Sequence, residues 1–234
     1  MPLAPDHRDR LIALGAEPGV LDALSLHLVD DLPPWWQEGR NALYLAEGMR
    51  LNRPLIDTMA LIPFEDALLV IATGTDNLRS LLLGGNDATV MIGPDSELTA
   101  GEIYCGAGSA VILNGGVVAT RCAMIDARNG GSVVAAPDQL WAANVYLATD
   151  DMHRLTDLAT GQRINAYGGH IRLGHHVWLC RDVVVTGEVE IGEHTTVGMR
   201  SMVRNAKIGD HLVVAGTPAR VIREGVTWSG EDIP

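Results

Sequence analysis

Large aromatic side chains are scarce: a single phenylalanine, Phe64, stands against 26 glycines. A conventional globular core is hard to fill from that stock, and a fold of many turns with small stacked residues suits it better. Lysine is scarcer still, since Lys207 is the only one among 17 basic residues, and 29 acidic residues bring the net charge to −12. That balance excludes sequence-independent binding to nucleic acid or to anionic membranes, because both need a basic face. No apolar run reaches the ~18 residues that span a bilayer, and the opening MPLAPDHRDR does not read as a secretory leader. Three cysteines (Cys105, Cys122 and Cys180) are an odd number at no metal-ligand spacing, so reduced thiols in the cytoplasm are expected. The signatures GxxxxGK[ST], GxSxG, GxGxxG and CxxC are absent, which removes the common nucleotide, hydrolase and redox readings. What the 234 residues do have is 47% hydrophobic content with 20% charged, enough for a sizeable core.

Residues 6–32 read as two short helices. Leu11, Ile12 and Leu14 precede Gly15, and Pro18 opens a second segment carrying Val20, Leu21, Leu24, Leu28 and Leu32 at helical spacing. Pro33-Pro34 ends it, and a polar and aromatic stretch from Trp35-Trp36 runs to Arg53. Residues 1–64 are therefore expected as a helical or mixed N-terminal region. From about residue 65 the texture changes to short aliphatic runs broken by Gly, Asn and Asp.

Within 171–203 the aliphatic residues Leu173, Leu179, Val185, Ile191, Val197 and Val203 recur every six positions. Ile171, Val177, Val183 and Val189 lie two residues ahead of the first four, and Gly174, Cys180, Thr186, Gly192 and Gly198 follow five of the six. A period of six is neither helical nor simple strand alternation. It fits a strand of about four residues plus a tight bend, three of which close a triangular coil of about 18 residues. The aliphatic position points inward and stacks on its copy one coil away. A sandwich of short antiparallel strands is the alternative, with less regular spacing.

This segment resembles the hexapeptide-repeat acyltransferases, which fold as left-handed parallel β-helices. Ala135, Trp141 and Leu147 keep the period upstream, and Leu147-Ala148-Thr149-Asp150-Asp151-Met152-His153 looks like the strand leading into that family's catalytic histidine. Thr160-Gly161-Gln162-Arg163-Ile164-Asn165 followed by Ile171 through Leu179 resembles the branch that O-acetylates sugars and polysaccharides. Ala215 through Arg223 is similar to the terminal coenzyme A segment, with Thr217 where Asn or Val is commoner. The resemblance is strong over 133–228, loose over 85–132 and absent from 1–64. It implies a β-helix over 65–214 with an active-site loop at 150–170, and a coenzyme-binding tail at 215–234.

The chemistry it implies is acetyl transfer from acetyl-CoA to a sugar hydroxyl. Such a step needs a base for the hydroxyl proton, and a neutral imidazole suits it, so His153 is the expected base. Asp150, Asp151 and Asp157 are candidates to orient that ring, and Asp151 and Asp157 also to bind substrate, with solvated loop acids as the plainer reading. The stretch 154–170 breaks the repeat, as functional loops do, and Arg163 and Asn165 in it are candidate contacts to sugar or a neighbouring subunit. Asn144 is a further substrate candidate, or else part of an asparagine ladder in a turn. Trp178 should point outward beside inward Leu179. In the resembling family it borders the acyl end of the coenzyme, and packing between subunits is its other reading. By their place in the motif, Gly198, Ser201, Ala215, Thr217, Arg220 and Arg223 are expected to bind coenzyme A. The family's sites form between subunits of a trimer, so a homotrimer without a metal is implied. Three rivals stand beside this reading: an amino-sugar N-acyltransferase, an inactive β-helical scaffold, and a zinc enzyme of the γ-type carbonic anhydrase kind using His153, His170 and His175.

Overall fold

The computed structural model describes residues 2–50, 52–59 and 63–231. They form a parallel β-helix of about seven turns. From Leu81 onward the turns lay a strand on each of three faces, and the strands stack in register from turn to turn. The first face carries Ser80–Gly84, Glu102–Gly106, Met124–Ala127, Tyr146–Ala148 and the starts of Val184–Ile191 and Met202–Ile208, the end of the latter pairing on the third face. The second carries Glu97–Leu98, Val117–Ala119, Gln139–Trp141, Trp178–Leu179, Thr196–Val197 and Leu212–Gly216. The third carries Ala42–Ala46, Leu68–Ile71, Thr89–Ile92, Ala110–Leu113, Ser132–Ala135, His170–Leu173 and the end of Val184–Ile191.

The inward rows are the aliphatic positions of the repeat. Ile125, Leu147, Val185 and Val203 stack on the first face, and Ala119, Trp141, Leu179, Val197 and Val214 on the second, all at most 1% exposed. Trp141 fits a row of smaller residues because Ala119 on the preceding coil leaves it room. Gly174 is small of necessity: a Cβ there would lie 2.8 Å from the Glu193 amide nitrogen of the next coil.

The weak periodicity of 85–132 has a geometric cause. Val185 pairs with Val203, 18 residues on, whereas Ile103 pairs with Ile125, 22 residues on. The early coils are as regular as the late ones but carry longer corners, so no six-residue beat shows in their sequence. Each corner repeats a left-handed residue on successive coils. One runs through Asp138, His176, His194 and His211, and another through Cys122, Asn144, Asp182 and Arg200, with φ between +53° and +65°. Asn and Asp tolerate this region better than most side chains, which accounts for many of the polar breaks.

The N-terminal region departs from the expected boundary. Strand Ala42–Ala46, wholly buried, pairs in parallel with Leu68–Ile71, so the third face begins well before residue 65. The first two helices span Pro5–Ala13 and Pro18–Ala23, and the Leu24–Leu28 stretch expected as helix instead gives strand Leu26–Leu28, antiparallel to Ala42–Ala46. The reason lies in the outward row of the third face, which is apolar through Tyr44, Val70, Met91 and Ile112 and becomes charged at Arg172, Glu190 and Lys207. Leu11, Ala16 and Leu21 cover the apolar part only. Burial of a leucine-sized side chain there contributes about 1.5–3 kcal/mol. Arg10 pins this lid by donating to the Asp66 and Asp87 carbonyls at 2.7 Å each and to Thr89 Oγ1 at 3.0 Å.

At the other end, a boundary at 215 would cut strand Leu212–Gly216. Ala219–Glu224 folds back antiparallel on it, with Ala215 opposite Arg220, and covers the edge of the second face. No helix among the described residues is long and apolar enough to cross a membrane.

Candidate active site

Among the described residues the longest departure from the regular coil is at the corner between the first and third faces. Neighbouring coils turn this corner through Gly130 and Gly187; here the chain departs after Ala148 and returns at His170. The base of the excursion is closed by the Gly169 amide donating to the Thr149 carbonyl at 2.7 Å. Asp150, its side chain wholly buried, draws the two ends together. Its Oδ1 accepts from the Met152 amide at 2.6 Å, and its Oδ2 from the Gly168 amide at 3.0 Å and Asn129 Nδ2 at 2.9 Å. Arg163 stands 3.7 Å away. Burial pushes the Asp150 carboxyl up, but the hydrogen bonds from Asn129, Gly168 and Met152 outweigh it and hold the group below the ordinary carboxylate range.

The excursion itself is a small hairpin bridged at Thr156 and Arg163. Asp157 caps its turn, accepting from the Thr160 amide and hydroxyl and the Ala159 amide, and these bonds lower its pKa. Arg163 donates to the Asn165 and Ala166 carbonyls and lies over the Tyr167 ring. Asn165 takes the Leu155 amide at 2.9 Å and donates to the His153 carbonyl at 2.8 Å and to Asp151 at 3.3 Å. Asp151 in turn accepts from Arg204 at 2.7 Å. The polar residues expected to meet substrate are thus engaged with the excursion's own backbone and with Arg204.

His153 sits at the start of this hairpin with its backbone held on both sides, its amide donating to the Asp151 carbonyl at 2.8 Å. The residue is exposed. Among the described residues no group bonds its imidazole, and none of Asp150, Asp151 and Asp157 orients the ring; each carboxylate is taken up by the partners above. Around it the excursion presents Met152, Leu155, Leu158, Ile164 and Tyr167, of which Leu158 is 99% exposed.

Asn144 occupies a left-handed corner at φ +61° and donates to Asp182 on the next coil at 3.0 Å, the ladder that was the plainer reading. This bond and the nearby Arg200 lower the Asp182 carboxyl. The coenzyme candidates gather at the same corner, between the second and first faces. Gly198 packs against Ala215, where a Cβ would meet the alanine methyl at 3.0 Å. Ser201 Oγ accepts from the Gly216 amide at 3.0 Å, and Thr217 donates to the Arg200 carbonyl at 3.4 Å. Arg220 and Arg223 lie exposed on the returning strand, where the Arg220 side chain donates to the adjoining Ala219 carbonyl at 2.8 Å.

Trp178 lies on the second face beside inward Leu179 and is half-buried. That face does not bound the corner from which His153 projects, so a single chain does not bring the two together. A feature not foreseen covers this flank. Trp228 lies 6.0 Å from Trp178 and stacks on His176, and below it His194 and His211 continue the column at 4.8 Å. The signal was present in outline, since His176 and His194 stand one 18-residue coil apart. Of the histidines that suggested zinc, His170 bonds Ser132 and His175 stacks on His176. Among the described residues no group of three His, Cys, Asp or Glu side chains converges to hold a metal ion.

No family model matches the sequence. The galactoside O-acetyltransferase of Escherichia coli (strain K12) is 40% identical over 58 residues, 25% of this chain and 28% of that protein's length. Among solved structures, the polySia-specific acetyltransferase NeuO superposes with a TM-score of 0.60 at 24% identity, covering 74% of this chain and 79% of that one. The polysialic acid O-acetyltransferase OatWY aligns over 79% of this chain and 88% of its own, at 19% identity and a TM-score of 0.45. The chain has the left-handed β-helix fold of the hexapeptide-repeat acetyltransferases.

Proposed function

We propose that this protein is an acetyl-CoA-dependent O-acetyltransferase that modifies a sugar hydroxyl of a polysaccharide or glycan precursor, with His153 as general base. The observation that carries the reading is the state of His153: its backbone is anchored from both sides while its side chain is exposed, with no partner for the imidazole among the described residues. A side chain so placed is free to accept a proton from a bound hydroxyl. As the hydroxyl oxygen attacks the thioester carbonyl, His153 takes its proton; the C–O bond forms, the C–S bond breaks, and the imidazolium returns the proton to the departing thiolate. The similarity to a galactoside O-acetyltransferase and the fold shared with a polySia-specific acetyltransferase support a glycan acceptor.

The donor fits the corner built by Gly198, Ser201, Ala215 and Thr217. A side chain larger than glycine at 198 would crowd the neighbouring coil, and Arg220 and Arg223 are placed nearby to meet phosphates. Because His153 and Trp178 stand at different parts of the triangular coil, we take the complete site to join His153 of one copy to the second face of a neighbour in a homotrimer. The apolar side chains around His153 favour this arrangement, since an exposed cluster of that kind calls for cover. The unpaired cysteines suit work in the cytoplasm. The test is release of free thiol from acetyl-CoA, measured across a panel of sugars and polysaccharides. Acceptor-dependent release supports the reading, and binding of coenzyme A with no transfer to any hydroxyl or amine would favour a scaffold.

A further inference from the structure

The reading above leaves open what fixes the base in place, since no carboxylate among the described residues touches its ring. Resting on that reading, we propose that Asp150 is the positioning residue of the reaction, tying the two ends of the excursion to the neighbouring coil and thereby setting where His153 stands. Burying a carboxylate is unfavourable unless its oxygens are satisfied by donors. Here the donors are Met152 at the departing end, Gly168 at the returning end and Asn129 on the preceding coil. One side chain thus replaces the corner that the excursion interrupts.

The surrounding residues are shaped to this clamp. Met152, immediately before the base, is held at φ +63°, a region unusual for a side chain of its size, and its amide is the one Asp150 captures. Gly168 has φ +68°, and a Cβ there would sit 2.1 Å from the Asn129 carbonyl oxygen. Only glycine lets that amide approach Asp150. Asn165 completes the arrangement from within the hairpin by holding the His153 carbonyl at 2.8 Å. The base is therefore bracketed, its predecessor by Asp150 and its own carbonyl by Asn165. A displacement of about 1 Å at a reacting group costs on the order of 100-fold in rate.

The experiment compares wild type, Asp150→Asn, Asn165→Ala and His153→Ala in steady-state kinetics, with amide hydrogen exchange on each. Asp150→Asn keeps the shape but turns an NH2 toward a backbone N–H, so one end of the excursion loses its acceptor. The expected result is a fall in kcat of about 10–100-fold with KM for acetyl-CoA within about twofold. Exchange should quicken at Met152 and Gly168 and stay slow at Leu147 and Val185. The pH midpoint of kcat/KM should match wild type, because Asp150 does not touch the imidazole; general destabilisation would instead lower activity in step with the folded fraction. Full kcat in Asp150→Asn despite quickened exchange at Met152 and Gly168 overturns the proposal. If Asp150→Asn does not fold, Asn165→Ala decides, with the same kcat loss expected and unchanged kcat overturning it. Retained activity in His153→Ala is a different failure, because it removes the base itself and the functional reading with it.

Discussion

The indole of Trp228 lies flat on the imidazole of His176, with ring centroids 4.1 Å apart and planes 6° from parallel. The same two residues exchange backbone contacts, Trp228 Nε1 donating to the His176 carbonyl at 2.9 Å while His176 Nε2 faces the Trp228 carbonyl at 2.9 Å. His176 Nδ1 faces Asp138 Oδ2 at 2.6 Å. Both ring nitrogens therefore meet oxygens that only accept, and a neutral imidazole, with a single N–H, satisfies one of them. The docked tail selects the imidazolium.

Tail docking should accordingly weaken as pH rises. Burial lowers the His176 pKa, but the bonds to Trp228 and Asp138 outweigh it and hold the value above the ordinary histidine range. A folded-state pKa above the unfolded one gives stabilisation that is complete below about pH 6.5 and is lost as pH climbs through the raised value. His175 and His194 flank the same ring, with centroids 6.1 and 4.9 Å from that of His176. Proteolytic trimming of residues after Gly225 should be slower at pH 6 than at pH 9, and His176→Gln should abolish the difference. Equal rates at both pH values would contradict the assignment.

His153→Ala should lower kcat by about 10²–10⁴-fold and leave acetyl-CoA affinity nearly unchanged, because the imidazole is proposed to meet only the proton in transit. Arg220→Ala and Arg223→Ala should do the reverse, raising the dissociation constant for coenzyme A with kcat largely kept at saturation. Calorimetric titration alongside thiol-release kinetics separates the two outcomes.

Light scattering at micromolar concentration should give about three times the 25.0 kDa chain mass. Leu158→Glu, at the tip of the excursion, should shift the population toward smaller species and reduce activity with it. A fully active monomer would show that one chain holds the whole site.

Trp141→Ala should destabilise the β-helix by about 3–5 kcal/mol, because it opens a cavity in an inward row where no neighbouring side chain is free to collapse. Trp228→Ala, on the outside, should leave the denaturation midpoint almost unmoved. Urea titration followed by circular dichroism distinguishes the two substitutions.

The inward rows were legible in the sequence because every coil buries the same position, and a repeated burial demand writes a period into the chain. Leu147, Leu173, Leu179, Val185, Ile191, Val197 and Val203 lie where that period puts them. The rows at 103 and 125 were hidden by corners four residues longer per turn, and strand Ala42–Ala46 by its lack of any alternation, both its faces being covered. Motif likeness is what put forward His153 and the corner from Gly198 to Thr217, and their roles stand as proposals. It did not show that Asp150 would bond the ends of the excursion, that Asn165 would hold a backbone carbonyl, or that Trp228 would cross 52 residues to stack on His176. Those relations are made by side chains outside the inward rows, which carry no periodic constraint. The stacking of the coils fixes which of them meet, and only the tertiary structure decides it.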